Sequence, residues 1–286
     1  MKNILFVGAT GMLGKPVAQE LLRAGFHLTL FGRDAEKMKK AFPNLKAIEG
    51  DVFDKDSIEG AMKDQEIVYM NLSINQSLGK SGFHSEREGI NNIIASAQTA
   101  GVKRICYISS LIKNYQGMNG FNWWAFDIKH KAIDAIKKSG INYSIFHPST
   151  FMESLDKQML QGSRLMLAGK SEAPMWFIAA QDYGIQVAWA LKKAGENNQE
   201  YAIQGLEPFT FDEAARVFVS NAKKKIKIFK APLTPIKLIG KFNQKINYAA
   251  NILEALNKFP EKFESETTWN DLGKPTMTLA QYAAAF

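Results

Sequence analysis

The sequence predicts an α/β protein, a doubly wound parallel sheet with a smaller, mostly helical lobe at the substrate side. Three observations predict it. Short β-branched or aromatic runs alternate with amphipathic stretches through the first half of the chain. Glycines close helices just before strands, at Gly25, Gly101 and Gly140. A triplet of glycines stands directly between the first strand and the first helix.

Taken in order, Asn3–Val7 reads as a buried strand and Met12–Ala24 as a helix with Val17, Leu21 and Leu22 on one side. His27–Phe31 is the second strand. Ala35–Ala41 is a short helix ended before Pro43, because a residue ahead of proline avoids the α region. Leu45–Glu49, Ile67–Leu72, Arg104–Ser109 and Tyr143–Phe146 are the following strands, with helices at Asp56–Met62, Phe83–Ala100 and Trp123–Ser139 between them. After Pro148 the rhythm loosens. Phe151–Trp176 shows no clear strand, Asp182–Lys193 is helical, and Glu200–Gln204 is a strand able to rejoin the sheet. Phe211–Lys223 is helical, and Pro232, Pro235 and Pro260 punctuate an irregular tail. Lys223–Lys230 alternates lysine with Ile226, Ile228 and Phe229, the look of an edge strand with one solvated face.

The 286 residues are 46% hydrophobic and 22% charged, enough apolar surface to offset the ordering entropy and exclude a largely disordered chain. No apolar stretch approaches the roughly 20 residues of a membrane helix, and the run Ile4–Val7 is shorter than a signal peptide's apolar core, so export is not expected. No membrane partner is expected. A single cysteine, Cys106, excludes an intramolecular disulfide and fits a reducing compartment, so the expected location is cytoplasmic. Cys106 lies in an apolar run and reads as an inert buried thiol. The four histidines show no metal-ligand spacing, so no metal is expected. The net charge of +8 fits either nucleic acid or a phosphate-rich cofactor. Lys223–Lys230 is the one candidate for nucleic acid, with no recognised module behind it, and that partner is disfavoured.

The decisive segment is Asn3–Val17. Gly8 permits a sharp turn, Gly11 lets backbone amides approach a pyrophosphate, and Gly14 allows close helix-on-strand packing. The helix beginning near Met12 turns free amides and its positive dipole end toward the phosphates. Gly8, Thr10, Gly11, Met12, Leu13 and Gly14 are therefore the candidate pyrophosphate contacts of a dinucleotide. At the end of the second strand, Arg33 favours the 2′-phosphate of NADP, and Lys37 one turn on could join it. Asp34 keeps an NAD reading open, NAD being the less favoured cofactor, and Arg33 could also be a solvated loop charge. Asp51 and Val52 would lie beside the adenine, while Asn71 and Ser73 end the fourth strand beside the nicotinamide ribose. Asp51 and Ser73 could instead cap following helices.

The loop Gly8–Gly14, the Gly50-Asp51 step, the Ser109-Ser110 strand end and the segment Lys138–Pro148 resemble atypical short-chain dehydrogenases/reductases of the NmrA-like group. Phe151-Met-Glu153, the turn Phe177–Tyr183 and the threonine-capped helix Phe209–Ala215 extend the resemblance to about residue 235. It implies a Rossmann fold and a nicotinamide cofactor. Reductases of the superfamily use a Tyr-x-x-x-Lys pair, in which the lysine holds the ribose and lowers the phenol pKa. The resemblance places that lysine at Lys129 and the tyrosine at Ala125, which cannot transfer a proton. Candidate catalytic groups are Lys129, Ser109, whose hydroxyl could bind a substrate oxygen, and His147, where the group often has arginine. Tyr115 could swing in from a loop, and His130 is expected to be exposed. Aromatics at 121–126, with Phe151, Met152, Trp176 and Phe177, either line an apolar slot for a flat substrate or form the lobe's core.

The expected division is 1–147 for dinucleotide binding, rejoined by 181–204, with 148–180 and 205–286 as the substrate-side lobe. The expected function is NADP(H)-dependent hydride transfer to a small apolar or conjugated carbonyl or quinone, by a monomer or homodimer. The alternative is a non-catalytic NADP(H)-binding redox sensor acting through protein partners.

Overall fold

The computed structural model describes residues 2–286. Its central strands are β1 (Asn3–Val7), β2 (His27–Gly32), β3 (Lys46–Glu49), β4 (Ile67–Met70), β5 (Arg104–Ile108), β6 (Asn142–Pro148) and, after three short strands elsewhere, β10 (Gln199–Ile203). They form one parallel sheet in the order β10-β6-β5-β4-β1-β2-β3. All seven expected strands are present, because strands covered on both faces read as continuous apolar runs. The order reverses between β1 and β4, which opens a crevice at their carboxyl ends.

Period-two alternation sorts the two faces. Ile4, Phe6, Tyr69, Cys106 and Phe146 pack with Val17 and Leu21 of α1 (Gly14–Arg23) and with Val187 and Leu191 of α6 (Ala180–Lys193). Leu5, Val7, Val68, Ile105 and Ile145 pack on the other side. There they meet α3 (Lys55–Met62), α4 (Ile90–Ala100) and α5 (Trp124–Lys138), while α2 (Ala35–Ala41) lies beside β2 and β3. Two helix starts differ from expectation. Met12 and Leu13 belong to a turn ahead of α1, and Phe83–Ala100 is not one helix, since a π-helical turn at Ser85–Gly89 precedes α4.

The lobe is more regular than the sequence suggested. Phe151–Trp176 holds a π-turn (Ser154–Met159) and the strands β7 (Leu160–Gln161), β8 (Arg164–Ala168) and β9 (Met175–Trp176). β9 pairs with β11 (Pro208–Phe209), and β12 (Lys227–Ala231) is the edge of a sheet ordered β12-β8-β7. Only Ile226 of the lysine-rich run is buried; Ile228 and Phe229 are exposed. After α7 (Phe211–Asn221) the tail is helical, not irregular: α8 (Leu233–Gly240), α9 (Gln244–Lys258), α10 (Glu266–Leu272) and α11 (Leu279–Ala284). The prolines stand where a helix tolerates them. Pro232 precedes α8, Pro235 sits in its first turn, whose amides have no helical acceptor, and Pro260 follows α9.

Carboxylates cap helices and tie distant segments together. Thr210 and Glu213 form a reciprocal cap on α7. Both oxygens of Glu153 accept the Ala180 amide at 3.0 and 3.1 Å, at the start of α6. Glu261 accepts from Ser149 Oγ at the end of β6 and from Gln204 Nε2 just past β10. Asp182 accepts from the Thr276 amide and hydroxyl and the Met277 amide.

Candidate functional site

A cleft of about 760 Å³ opens over the carboxyl ends of β1 to β4, within the size range of cofactor sites. Its floor is the glycine turn. Gly8 has φ +86°, a conformation side chains resist, and a Cβ there would lie 2.3 Å from the Asn71 carbonyl oxygen. A Cβ on Gly14 would lie 2.1 Å from the Gly8 oxygen, so α1 approaches the strand end as closely as only glycine allows. Gly11 differs: its Cβ would meet nothing nearer than 3.3 Å, and its exposed flank is free for a ligand's approach. Asn71 Nδ2 donates to the Gly8 carbonyl at 3.2 Å and clamps the turn.

Gly8, Thr10, Arg33, Asp51, Val52, Asn71 and Ser73 all line this cleft, while Gly11, Met12 and Leu13, which carry the turn on to Gly14 at the start of α1, are not among its lining residues, nor is Gly14. Arg33 and Lys37 are exposed at the rim and pair with no carboxylate among the described residues. Asp34 is occupied, because its Oδ1 accepts the Lys37 amide at 2.8 Å and caps α2. Asp51 is not a helix cap. It accepts the Phe53 amide at 3.1 Å, and Asp54 caps α3 instead. Nor does Ser73 cap a helix; its carbonyl accepts from Ser85 Oγ at 2.8 Å.

Deeper in the fold lies a group that the sequence reading missed. The π-turn aims Glu86 inward, where its side chain has no exposed surface. Its Oε1 accepts from Lys129 Nζ at 2.7 Å and from the Tyr107 hydroxyl at 2.6 Å, while its Oε2 is buried without a partner. Burial first, and then the Glu86 charge, hold the Tyr107 phenol well above its ordinary pKa. A signal was available: Glu86 lies four residues before Ile90, on the line of the buried stripe Ile90, Ile93, Ile94 and Ala97. An acid in line with a core stripe marks a buried charge.

Ser109, just past β5, is buried with an unpartnered Oγ. His147, like Ser109 and Lys129, is not among the cleft's lining residues. Its Nε2 lies 3.3 Å from Glu200 Oε2, and burial, assisted by the charge of Lys113, lowers it to about 4, so it is neutral at pH 7. His130 is half-buried rather than exposed, its Nε2 3.1 Å from the Lys113 carbonyl. Tyr115 is fixed under Phe259, with ring centroids 5.4 Å apart, and is not free to swing. Trp123, Phe126, Met152 and Phe177 are buried in one hydrophobic cluster that joins residues before Pro148 to residues after it, so core packing rather than a slot accounts for them. Cys106 is the inert thiol expected, pushed by burial up to about 12. Among the described residues no His/Cys/Asp/Glu group could hold a metal, and no helix is long and apolar enough to cross a membrane.

A parallel sheet whose switch point carries this glycine turn, with basic side chains at the end of β2, defines a dinucleotide-binding protein of the Rossmann type. The close approaches that require glycine at Gly8 and Gly14, and the unpaired Arg33 and Lys37 at the cleft rim, fit a nicotinamide dinucleotide. The chain belongs to the NAD(P)H-binding family, whose model matches residues 8–172, in keeping with the NmrA-like resemblance. It is 29% identical over 168 residues to an uncharacterized chloroplastic protein of Arabidopsis thaliana, covering 51% of this chain and 58% of that relative's length. It is 23% identical over 294 residues to an NAD(P)H azoreductase of Xenophilus azovorans, covering 99% and 97%. Among solved structures, the NADPH-dependent quinone oxidoreductase QOR2 of Escherichia coli, complexed with NADPH, superposes with a TM-score of 0.73. That match has 19% identity and covers 99% of each chain; the likeness is one of fold.

Proposed function

We propose that the protein is an NADPH-dependent oxidoreductase that reduces a small apolar or conjugated carbonyl or quinone. The observation that carries the cofactor choice is the division of labour after β2. Arg33 and Lys37 face the cleft unpaired, whereas the competing carboxylate of Asp34 is spent on α2. On this reading residues 1–147 with 181–204 hold the dinucleotide, and 148–180 with 205–286 cover the substrate. Gly8, Thr10, Gly11, Met12, Leu13 and Gly14 present the pyrophosphate cradle, Asp51 and Val52 flank the adenine, and Asn71 and Ser73 flank the nicotinamide ribose.

Bound NADPH supplies the hydride. The protein's part is orientation and charge. Lys129 has two N–H donors left after its bond to Glu86, and we assign them to the ribose and the substrate oxygen. Ser109 Oγ is the hydrogen-bond donor to that oxygen, and water supplies the proton that completes the reduction. Ala125, buried in α5 where the resemblance expects tyrosine, removes the usual phenol. Conjugated acceptors suit this arrangement, because delocalisation stabilises the developing anion without a strong acid at hand. His147 is left out, since its ring is tied to Glu200. The NAD(P)H azoreductase and the quinone oxidoreductase among the similar proteins support the substrate class.

The same Ala125 favours a second reading, a sensor that binds NADPH without turnover. A screen of NADPH oxidation against quinones, enones and aldehydes, with binding measured in parallel, separates the two. Turnover on a conjugated acceptor supports the reductase. Tight binding with no turnover across the panel supports the sensor.

A further inference from the structure

The charge of the chain is not spread evenly. Residues 214–253 carry nine basic side chains and no acidic one, a charge of +9 in 40 residues, so the rest of the chain is close to neutral within the net +8. Lys230 and Lys237 reach Asp212 and Glu254 at 2.7 and 2.6 Å. Lys223, Lys225, Lys227, Lys241 and Lys245 are exposed and pair with no carboxylate among the described residues.

Within this basic stretch, α8 wears its apolar face outward. Pro235, Leu238, Ile239 and Phe242 follow the i, i+3, i+4, i+7 spacing of one helix face continued into the next turn, and all four are exposed. Leu238 and Ile239 are each 55% exposed and Phe242 is 93% exposed. The opposite face fixes this orientation. Gly240 is buried where a Cβ would come within 3.0 Å of Asn247 in α9, and Lys237 is bonded to Glu254 of the same helix. The stripe is thus held away from the core by its own packing.

We infer that the α8–α9 hairpin docks on an anionic lipid bilayer surface. Charge complementarity selects an anionic partner, and the protruding leucine, isoleucine and phenylalanine select one with an apolar interior close beneath its charges. Nucleic acid would satisfy the lysines but leave the stripe in water. The docking is peripheral, since no helix among the described residues is long and apolar enough to span a membrane. The hairpin also roofs the lobe: Tyr248 of α9 packs on Trp123 with ring centroids 4.7 Å apart. Docking therefore turns the lobe toward the bilayer. The inference does not depend on the reductase reading, since it concerns where the protein sits.

Co-sedimentation of the full chain with vesicles tests it. At about 0.1 M salt the protein should pellet with phosphatidylcholine vesicles carrying about 30 mol% phosphatidylglycerol, and its partition should fall by roughly tenfold near 0.5 M salt. It should stay in solution with phosphatidylcholine alone. The double substitution Ile239→Ser/Phe242→Ser should weaken partition by about tenfold or more, because it deletes the inserted apolar surface. Lys241→Glu/Lys245→Glu should weaken it by a similar factor through charge. Unchanged NADPH titration and unfolding midpoint show that both variants are folded. Three results would overturn the inference: a wild-type protein left in solution with anionic vesicles, equal partition of the Ile239/Phe242 variant, or displacement from vesicles by a duplex DNA that the protein binds more tightly. A dimer that dissociates in the Ile239/Phe242 variant would likewise replace the bilayer with a second copy of the chain.

Discussion

On the proposed NADPH reading, replacing Arg33 with alanine should turn a selective site into a weakly selective one. Arg33 is exposed at the cleft rim with no carboxylate partner, so its removal leaves nothing buried and unpaired. Its contribution is then that of a charge-assisted contact to the 2′-phosphate, about 1.5–3 kcal/mol. Solvent screening at a rim position places the value near the middle, about 2 kcal/mol, or roughly a 30-fold weaker Kd for NADPH. NADH lacks that phosphate, and its affinity should change by less than about twofold. Lys37 should retain part of the preference, and Arg33→Ala/Lys37→Ala should bring the two cofactors close together. Asp34→Ala provides the control. It removes the α2 cap, costing about 1 kcal/mol of stability, while the NADPH preference stays. Calorimetric titration with both cofactors reads all of these. Equal losses for NADPH and NADH in Arg33→Ala, or a wild-type protein that prefers NADH, would refute the reasoning.

Gly14→Ala places a Cβ 2.1 Å from the Gly8 oxygen; forcing the turn apart should cost at least about 1–3 kcal/mol in chemical denaturation and abolish cofactor binding, and a variant of native stability and affinity would contradict the packing role. Glu86→Gln leaves Lys129 without its buried counter-charge and should destabilise by about 3 kcal/mol, with Glu86→Gln/Lys129→Met recovering a large part; no recovery would show that the two do not act as a pair. Burial pushes both Glu153 and Glu261 from 4.5 up to about 7. The native state therefore keeps protons that the unfolded chain releases, and each group gives stability that is complete below about pH 4.5 and lost as pH rises through about 7, about 3 kcal/mol per group. His147 works oppositely: its stabilisation is present above about 6.5 and lost as pH falls through about 4. Denaturation curves between pH 5 and 8 should show the carboxyl-linked slope, and its persistence in Glu153→Gln/Glu261→Gln would rule out these groups as its source.

The strands and the glycine turn were legible because their sequence signals are local. A strand covered on both faces has to be apolar throughout, and a turn with φ +86° has to be glycine. The lobe's sheet was not legible, since β8 is only Arg164–Ala168 and is built from leucine, methionine and alanine rather than β-branched residues. The tail was misread because prolines break helix interiors but are welcome in first turns, and only a backbone distinguishes the two. The site split along the same line. Residues at strand ends, such as Arg33 and Asn71, follow from position. The commitment of Asp34 to capping, of Lys129 to Glu86 and of His147 to Glu200 depends on partners 3, 43 and 53 residues away. The outward stripe of α8 belongs with these, for a period of 3.6 locates a face without saying which medium it meets.

The carboxylate of Asp182 sets a condition on how the chain is made. Its donors are the Thr276 amide and hydroxyl and the Met277 amide, more than 90 residues later. A nascent chain completes the seventh strand at Ile203, yet at roughly 5–20 residues per second another 4 to 15 seconds, about, pass before residue 277 is joined. Throughout that interval the first turn of α6 holds an acid meant for burial whose donors have not yet been made. The finished sheet must wait for its clasp, which makes this interval the one in which a chaperone would find the most to hold.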